Sequence, residues 1–240
     1  MTQPCRSFKD RFVGYLALKI LQATCKSAEV DLHTVDKLFH KMVELEETMG
    51  EKKHCVVLAF THRSIMDYIL VKYITFNMCG MGLDMPLVLA GSELEDNNLS
   101  EKIERRKAHC DRHVSVAAFL EGSPSSDGRV NKLNKEAIKT LAQVDGDYDV
   151  TVLPMSMNYE SVNDSEILLQ ATKTRSDLGL TKMFSLYWQI CVLKKTKPTS
   201  LGDVRVSFGV PSKLESTADV DAAAKNLQAE LERLSSSSSP

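Results

Sequence analysis

The sequence predicts an α/β fold: a mixed, largely parallel sheet with helices on both faces, preceded by a pair of helices. Two observations lead to this prediction. From residue 54 onward, short apolar runs alternate with segments of helical periodicity, a pattern typical of strands joined by helical crossovers. The apolar runs also lack a strict alternation of apolar and polar residues, so we expect both faces of the sheet to be buried.

Composition limits the classes of protein to consider. The chain has 240 residues, 43% of them hydrophobic, which is enough for one sizeable core. The 30 basic and 32 acidic residues leave a formal net charge of −2, so no nucleic-acid partner is expected. The cysteines show no C-x-x-C spacing, which favours a reduced, intracellular chain with no metal site. Neither a signal peptide nor an apolar run long enough to span a membrane is visible.

The first part of the chain predicts an N-terminal helical segment, residues 1–50. Apolar residues recur at helical spacing in 6–26, and again from Asp31 to just before Gly50. Such amphipathic helices either cover the edge of a core or lie on a membrane with their lysines toward lipid phosphates. The apolar stretch 70–81 favours the same peripheral association with a membrane.

The remaining chain, 51–234, is expected to form one catalytic domain, followed by a disordered serine-rich tail at 235–240. Short apolar runs predict its strands, and the periodic segments between them predict its helices. The predicted strands cover 54–60, 86–90, 114–120, 150–157 and 204–208. The predicted helices cover 64–78, 99–109, 131–144, 180–193 and 220–234.

Four residues that follow directly on predicted strands are candidates for a common site. In parallel sheets, active residues gather in the loops beyond the carboxyl ends of the strands. His62, Gly91, Glu121 and Tyr159 each occupy such a position, so we expect them to share one rim of the sheet. Pro154, inside the predicted strand 150–157, has no N–H to donate and predicts a sheet edge, a bulge or a strand end.

His62 and Asp67 form the first candidate site. The histidine leaves the end of a strand and the aspartate lies in the first turn of the next helix, so the ring can fold back toward the carboxylate. In such a pair the imidazole accepts a proton, while the carboxylate fixes the tautomer and offsets the charge. A surface histidine beside a helix-capping aspartate would show the same spacing, so the pair alone does not identify an active site.

A second candidate site follows the strand at 114–120. The strand ends at Glu121, Gly122 permits a tight backbone turn, and hydroxyl residues beginning with Ser123 precede Arg129. Glu121 can accept hydrogen bonds from substrate hydroxyls, and Arg129 or Lys132 can bind a phosphate. A flexible turn carrying a solvated glutamate is the alternative interpretation.

The order and spacing of these segments resemble those of the glycerol-phosphate and dihydroxyacetone-phosphate acyltransferases. These enzymes belong to the phospholipid-biosynthesis acyltransferase superfamily, which carries an H-x-x-x-x-D motif. His62 to Tyr68 is similar to the first motif of this branch, H-R-S-x-M-D-[FY]. The other similar segments are 90–91 for the second motif, 119–129 for the third, 152–160 for the fourth and 204–211 for the closing strand. The resemblance covers roughly residues 54–215 and is that of a divergent member.

The resemblance implies acyl transfer from acyl-CoA or acyl-carrier protein to a hydroxyl of glycerol 3-phosphate or dihydroxyacetone phosphate. It implies no permanently bound cofactor and no covalent acyl-enzyme. His62 would be the general base, with Asp67 steadying the imidazolium. The acceptor-binding residues implied are Arg63, Ser64, Glu121, Gly122, Ser123 and Arg129. Further candidates for contact with phosphate or CoA are Arg105, Arg106 and Arg112, which would otherwise form a solvated helix face.

Departures from the family pattern keep three hypotheses open. Pro124 and Ser126 stand where the third motif has arginines, and each lost guanidinium removes charge-assisted bonds of about 1.5–3 kcal/mol. The first hypothesis is a working acyltransferase, acting on glycerol 3-phosphate, dihydroxyacetone phosphate or a lysophospholipid. The second is a member that has lost acceptor binding and serves as a lipid-binding or scaffold protein. The third, an α/β hydrolase-like enzyme, lacks the G-x-S-x-G of a serine nucleophile.

Overall fold

The computed structural model describes residues 8–48, 53–64, 66–78, 86–90, 101–103, 113–121, 130–143, 148–161, 180–193, 201–214 and 219–236. Within these residues, seven strands form one sheet. They are β1 (Ser27–Val30), β2 (Lys53–Phe60), β3 (Leu87–Ala90), β4 (His113–Phe119), β5 (Tyr148–Tyr159), β6 (Asp203–Phe208) and β7 (Ser212–Leu214).

The sheet is mixed and largely parallel, as the sequence predicts. The spatial order is β1-β6-β5-β2-β4-β3, and β7 pairs with β5 on the side of β5 that faces β6. The neighbours β5, β2, β4 and β3 run parallel to one another, and β1 runs parallel to β6. Only the pairings of β5 with β6 and with β7 are antiparallel among the described strands.

Helices cover both faces of the sheet. One face receives α1 (Phe8–Thr24), α3 (Met66–Met78) and α5 (Leu180–Tyr187), which continues into a π-helical turn at Trp188–Val192. The other face receives α4 (Lys135–Ala142) and α6 (Val220–Ser236). The remaining described helix, α2 (Leu32–Thr48), contacts β6.

The side chains of β2 show why the apolar runs lack alternation. Val56, Leu58 and Phe60 belong to the core under α1 and α3. Cys55, Val57 and Ala59 belong to the core under α4 and α6, and all six residues are at most 1% exposed. A strand that is buried on both faces has no polar side, so the predicted architecture is confirmed.

The fold differs from the sequence-based expectations in two strands and in the apolar stretch at 70–81. Strands β1 and β7 were not predicted. The apolar stretch at 70–81 is not a membrane-facing surface over the part that the structure describes, because Leu70, Val71, Ile74 and Met78 are buried against the sheet. Within the described ranges, none of the helices has the length and apolar character needed to cross a membrane.

Pro154 lies inside β5 rather than at a sheet edge or a strand end. Its carbonyl accepts a hydrogen bond from Gly209 N at 2.8 Å, so the backbone of Pro154 faces the side on which β6 and β7 pair. On that side β7 pairs with 150–152 and β6 pairs with 155–159. The proline therefore occupies the gap between two partner strands, where no ladder N–H is required.

Candidate active site

The loop after β2 is folded around the carboxylate of Asp67. Ser64 and Asp67 form a capping box at the start of α3: Ser64 Oγ accepts from Met66 N at 3.0 Å, and Asp67 Oδ2 accepts from Ser64 N at 2.9 Å. Arg63 N donates to the same Oδ2 at 2.7 Å. Ser64, predicted to bind the acceptor, is fully buried and serves as the helix cap.

His62, two residues after the end of β2, lies within hydrogen-bonding distance of Asp67. Its Nδ1 is 3.1 Å from Asp67 Oδ2, and the His62 side chain is 7% exposed while that of Asp67 is completely buried. A carboxylate oxygen accepts, so Nδ1 carries the proton and Nε2 is the basic nitrogen. This is the tautomer that a general base needs.

Tyr159 adds a further donor to the buried aspartate. Its hydroxyl donates a short hydrogen bond to Asp67 Oδ1, the oxygen that the loop amides leave unoccupied. The sequence placed Tyr159 on the rim but assigned it no role. The sequence signal that could have indicated a role is the position of Tyr159 at the end of β5, because β5 pairs in parallel with β2, the strand that leads to His62.

Glu121 connects the ends of three chain segments. Its Oε1 accepts from His62 N at 2.9 Å and its Oε2 accepts from Asn131 N at 2.6 Å. The residue is 7% exposed. Burial raises the pKa of the Glu121 carboxyl, and the two backbone donors oppose this shift only in part. Glu121 thus holds the His62 backbone in place from the neighbouring strand β4.

Arg63 points toward the end of α6. Its Nη2 donates a short hydrogen bond to Ser235 Oγ, while its Nε is buried and has no hydrogen-bond partner among the described residues. Burial lowers the pKa of the Arg63 guanidinium, and the nearby Asp67 and Glu121 oppose this shift. The half-buried guanidinium of Arg63 therefore places positive charge beside His62 and Asp67.

Aromatic rings enclose the imidazole of His62. The Phe119 ring centroid lies 4.7 Å away and the Tyr68 ring meets the imidazole edge-on at 5.6 Å. These two rings pack on each other at 4.4 Å. Such a wall excludes water from all but a small part of the ring, which strengthens the electrostatic coupling between His62 and Asp67.

The predicted site residues divide into two groups. His62, Arg63, Ser64, Asp67, Glu121 and Tyr159 lie together at the carboxyl edge of β2, β4 and β5. The others lie outside the described residues: Gly91, Arg105, Arg106, Arg112, Gly122, Ser123 and Arg129. The two motif departures, Pro124 and Ser126, lie outside them as well.

Two cavities lined by described residues lie away from this site. The first, of about 530 Å³, is bounded by β6, the start of α2 and the end of α6. The second, of about 430 Å³, lies between the sheet, α4 and α6. Neither is lined by His62 or Asp67. Leu120, which precedes Glu121, lines the smaller one. In the described part of the chain no cluster of His, Cys, Asp and Glu has the arrangement of a metal site.

The fold and the site define an α/β protein with a buried His-Asp pair at the carboxyl edge of a mostly parallel sheet. No protein-family model and no curated protein sequence matches the chain. Among solved structures, the fold is similar to that of the 1-acyl-sn-glycerophosphate (LPA) acyltransferase PlsC from Thermotoga maritima. The TM-score is 0.52 and the sequence identity is 15%, over 95% of this chain and 78% of that chain. At 15% identity, this similarity shows that the two proteins share a fold.

Proposed function

We propose that this protein is an O-acyltransferase of phospholipid synthesis in which His62 is the general base. The observation that carries the proposal is the 3.1 Å contact between His62 Nδ1 and Asp67 Oδ2. Three further donors hold the aspartate in place: Arg63 N, Ser64 N and the Tyr159 hydroxyl. Acyl transfer to an alcohol needs a base that takes one proton and returns it, and this pair supplies that capacity.

The reaction proceeds without a covalent acyl-enzyme. His62 Nε2 takes the proton of the acceptor hydroxyl as the oxygen attacks the thioester carbonyl of acyl-CoA or acyl-carrier protein. The C–O bond forms, the C–S bond breaks, and the proton on Nε2 passes to the departing thiolate. Asp67 stabilises the imidazolium between these two steps, because its charge lies next to the Nδ1 proton.

The acceptor that we propose is glycerol 3-phosphate or dihydroxyacetone phosphate. Both carry a phosphate and a free hydroxyl, and the half-buried guanidinium of Arg63 supplies positive charge next to His62. Gly122, Ser123 and Arg129 are proposed to complete the acceptor site, with Arg105, Arg106 and Arg112 contacting phosphate or CoA. A lysophosphatidate is the second candidate acceptor, because the similar Thermotoga maritima structure is that of a 1-acyl-glycerophosphate acyltransferase.

We also propose that the protein works as an intracellular, peripheral membrane protein, because long-chain acyl acceptors and products partition into lipid. No permanently bound cofactor is part of this account, and acyl-CoA enters as a co-substrate. The alternative is a member that keeps the His-Asp pair but binds lipid without turnover, and Pro124 and Ser126 in the arginine positions favour it.

An acyl-CoA discharge assay over a panel of acceptors tests the proposal. The purified chain is incubated with labelled acyl-CoA and glycerol 3-phosphate, dihydroxyacetone phosphate or lysophosphatidate, and thiol release and acylated product are measured together. We expect one acceptor to give stoichiometric thiol and acylated product. A panel without product, under conditions in which the protein is folded, would favour the non-catalytic alternative.

A further inference from the structure

Two neighbouring helices, α1 and α5, carry a row of exposed aromatic side chains. Phe12 stacks between Phe8 and Phe184, with ring centroids 6.3 and 6.5 Å apart, and Trp188 stacks on Phe184 at 6.1 Å. Phe8 exposes 84% of its surface and Trp188 exposes 46%. We define the aromatic face as the half-buried Phe12 together with six exposed residues: Phe8, Tyr15, Phe184, Trp188, Val192 and Leu193.

The aromatic face is one continuous side of a helical pair. Phe12 contacts Phe184, and seven residues further along each chain the thiol of Cys191 donates to the carbonyl of Lys19 at 3.5 Å. The equal offsets mean that α1 and α5 with its π turn run side by side in the same direction. Their inner sides are buried in the core. The inner residues are Leu16, Ile20, Met183, Leu186 and Ile190.

The charge on this helical pair differs in sign from that of the whole chain. Lys9, Arg11 and Lys19 on α1 and Lys182 on α5 are opposed by a single acidic residue, Asp10. The whole chain has a formal net charge of −2. Positive charge is therefore concentrated beside the exposed aromatic rings, and Lys19 Nζ lies 5.7 Å from the centroid of the Tyr15 ring.

We propose that the aromatic face docks the protein on a lipid bilayer that contains anionic headgroups. The inference rests on the proposed function, which places the enzyme at a membrane, and adds the surface that meets the lipid. Tryptophan and tyrosine favour the boundary between headgroups and acyl chains, and lysine stems can extend along apolar surface to reach lipid phosphates. Protein interfaces are instead depleted in lysine, so the charge favours a lipid surface over a protein partner.

Docking of this face leaves one end of the helical pair close to the candidate active site. At the end of α1, the carbonyl of Thr24 accepts from Leu201 N at 2.9 Å, and the carbonyl of Leu201 accepts from Ser161 N at 3.3 Å. Ser161 lies two residues after Tyr159, which donates to Asp67. The carboxyl end of α1 is thus connected to the site through one short backbone path, whereas Phe8, Phe12 and Tyr15 lie in the amino-terminal half of the helix.

Trp188 is the single tryptophan of the chain and reports on docking directly. Full-length protein is mixed with vesicles of phosphatidylcholine alone or of phosphatidylcholine with phosphatidylserine, and the fluorescence of Trp188 is recorded. We expect a blue shift and quenching by brominated acyl chains with the anionic vesicles, both weakened by salt because the attraction to the headgroups is screened. An unchanged spectrum with both compositions would overturn the proposal.

Variants of exposed residues locate the docking surface. Phe184→Ser is expected to lower partitioning onto anionic vesicles about tenfold or more, since it removes an aromatic side chain that the bilayer would bury. Val43→Ser, which changes an exposed apolar residue on α2, serves as the matched control and should bind like the wild type. Equal binding of all three proteins would overturn the proposal. The proposal would also be overturned if Phe184→Ser changed the mass that sedimentation gives for the protein without vesicles, because the face would then be a contact between protein chains.

The docking surface and the proposed reaction can fail separately. Phe184→Ser should keep its turnover with a short-chain acyl-CoA and a water-soluble acceptor in the absence of vesicles. His62→Ala should still bind anionic vesicles like the wild type. Vesicle binding without turnover in the wild type would contradict the enzymatic proposal alone, whereas turnover without vesicle binding would contradict the docking proposal alone.

Discussion

At the scale of single residues, the chemistry depends on how Asp67 is held. A carboxylate without solvent contact is costly unless several donors satisfy it. Asp67 Oδ2 accepts from His62 and from the amides of Arg63 and Ser64, and Oδ1 accepts from Tyr159. The same bonds that stabilise the buried charge also fix the imidazole, so structure and proposed mechanism rely on one group.

Tyr159→Phe tests whether the hydroxyl positions Asp67. The variant removes a hydrogen bond to a charged group, and we expect kcat to fall roughly tenfold. The acceptor KM should change little, because the Tyr159 hydroxyl bonds Asp67 and not the acceptor. Tyr73→Phe, at a half-buried position on α3 outside the site, is the matched control. A Tyr159→Phe enzyme with the wild-type kcat, or one in which only KM changes, would exclude this positioning role.

Glu121→Gln tests the effect of the buried carboxyl on stability. Burial raises the pKa of the Glu121 carboxyl in the folded protein. As pH increases, this carboxyl therefore loses its proton in the unfolded chain first, at a pH of about 4.3. The free energy of unfolding of the wild type should therefore fall as pH rises from there to the raised pKa, and then level off. Glutamine does not titrate and lacks this contribution. Urea unfolding from acidic to neutral pH measures the free energy of unfolding of both proteins. If the wild type gains stability relative to Glu121→Gln as pH rises, the pKa of Glu121 is lowered in the folded protein and the account is wrong.

At the scale of elements, the packing of α1 on α3 requires a glycine. A Cβ at Gly14 would lie 2.6 Å from Cγ of Phe76, an atom too close to its own backbone to move aside easily. Gly14→Ala gains about 1 kcal/mol in helix propensity but overpacks the contact by about 1–3 kcal/mol. We expect a net loss of stability in urea unfolding. The loss should be smaller in a Phe76→Leu background, and an equal loss in both backgrounds would mean that Phe76 is not the obstacle.

The elements that the sequence predicted are those with an apolar signal of adequate length. The central strands have buried apolar runs, and α1, α3 and α6 have long periodic patterns. Strand β1 has the sequence Ser27-Ala28-Glu29-Val30 and β7 has only three residues, so neither shows a pattern before its partner strand is known. Helix α4 begins at Lys135 rather than at 131, because the Asn134 side chain accepts from Glu136 N and Ala137 N and caps the helix there.

At the scale of the whole molecule, the candidate site is assembled by the order of the strands. His62, Glu121 and Tyr159 lie far apart in sequence, and the parallel register of β2 with β4 and β5 brings their strands to one edge. The rule for parallel sheets was sufficient to predict this edge. It was not sufficient to predict the contact of Arg63 with Ser235, which depends on where α6 ends on the far side of the sheet. The individual bonds to Asp67 also require coordinates, because residue types alone do not determine which donors face a carboxylate.

Acyl transfer by His62→Ala is the measurement that tests the central claim most directly. The wild type, His62→Ala and His40→Ala are compared in the acceptor panel, where His40 is an exposed histidine on α2 that serves as the control. The account predicts that His62→Ala keeps the wild-type circular dichroism and melting temperature within a few degrees and loses about 10²–10⁴-fold in turnover, while His40→Ala keeps full activity. Turnover by His62→Ala equal to that of the wild type would contradict the account.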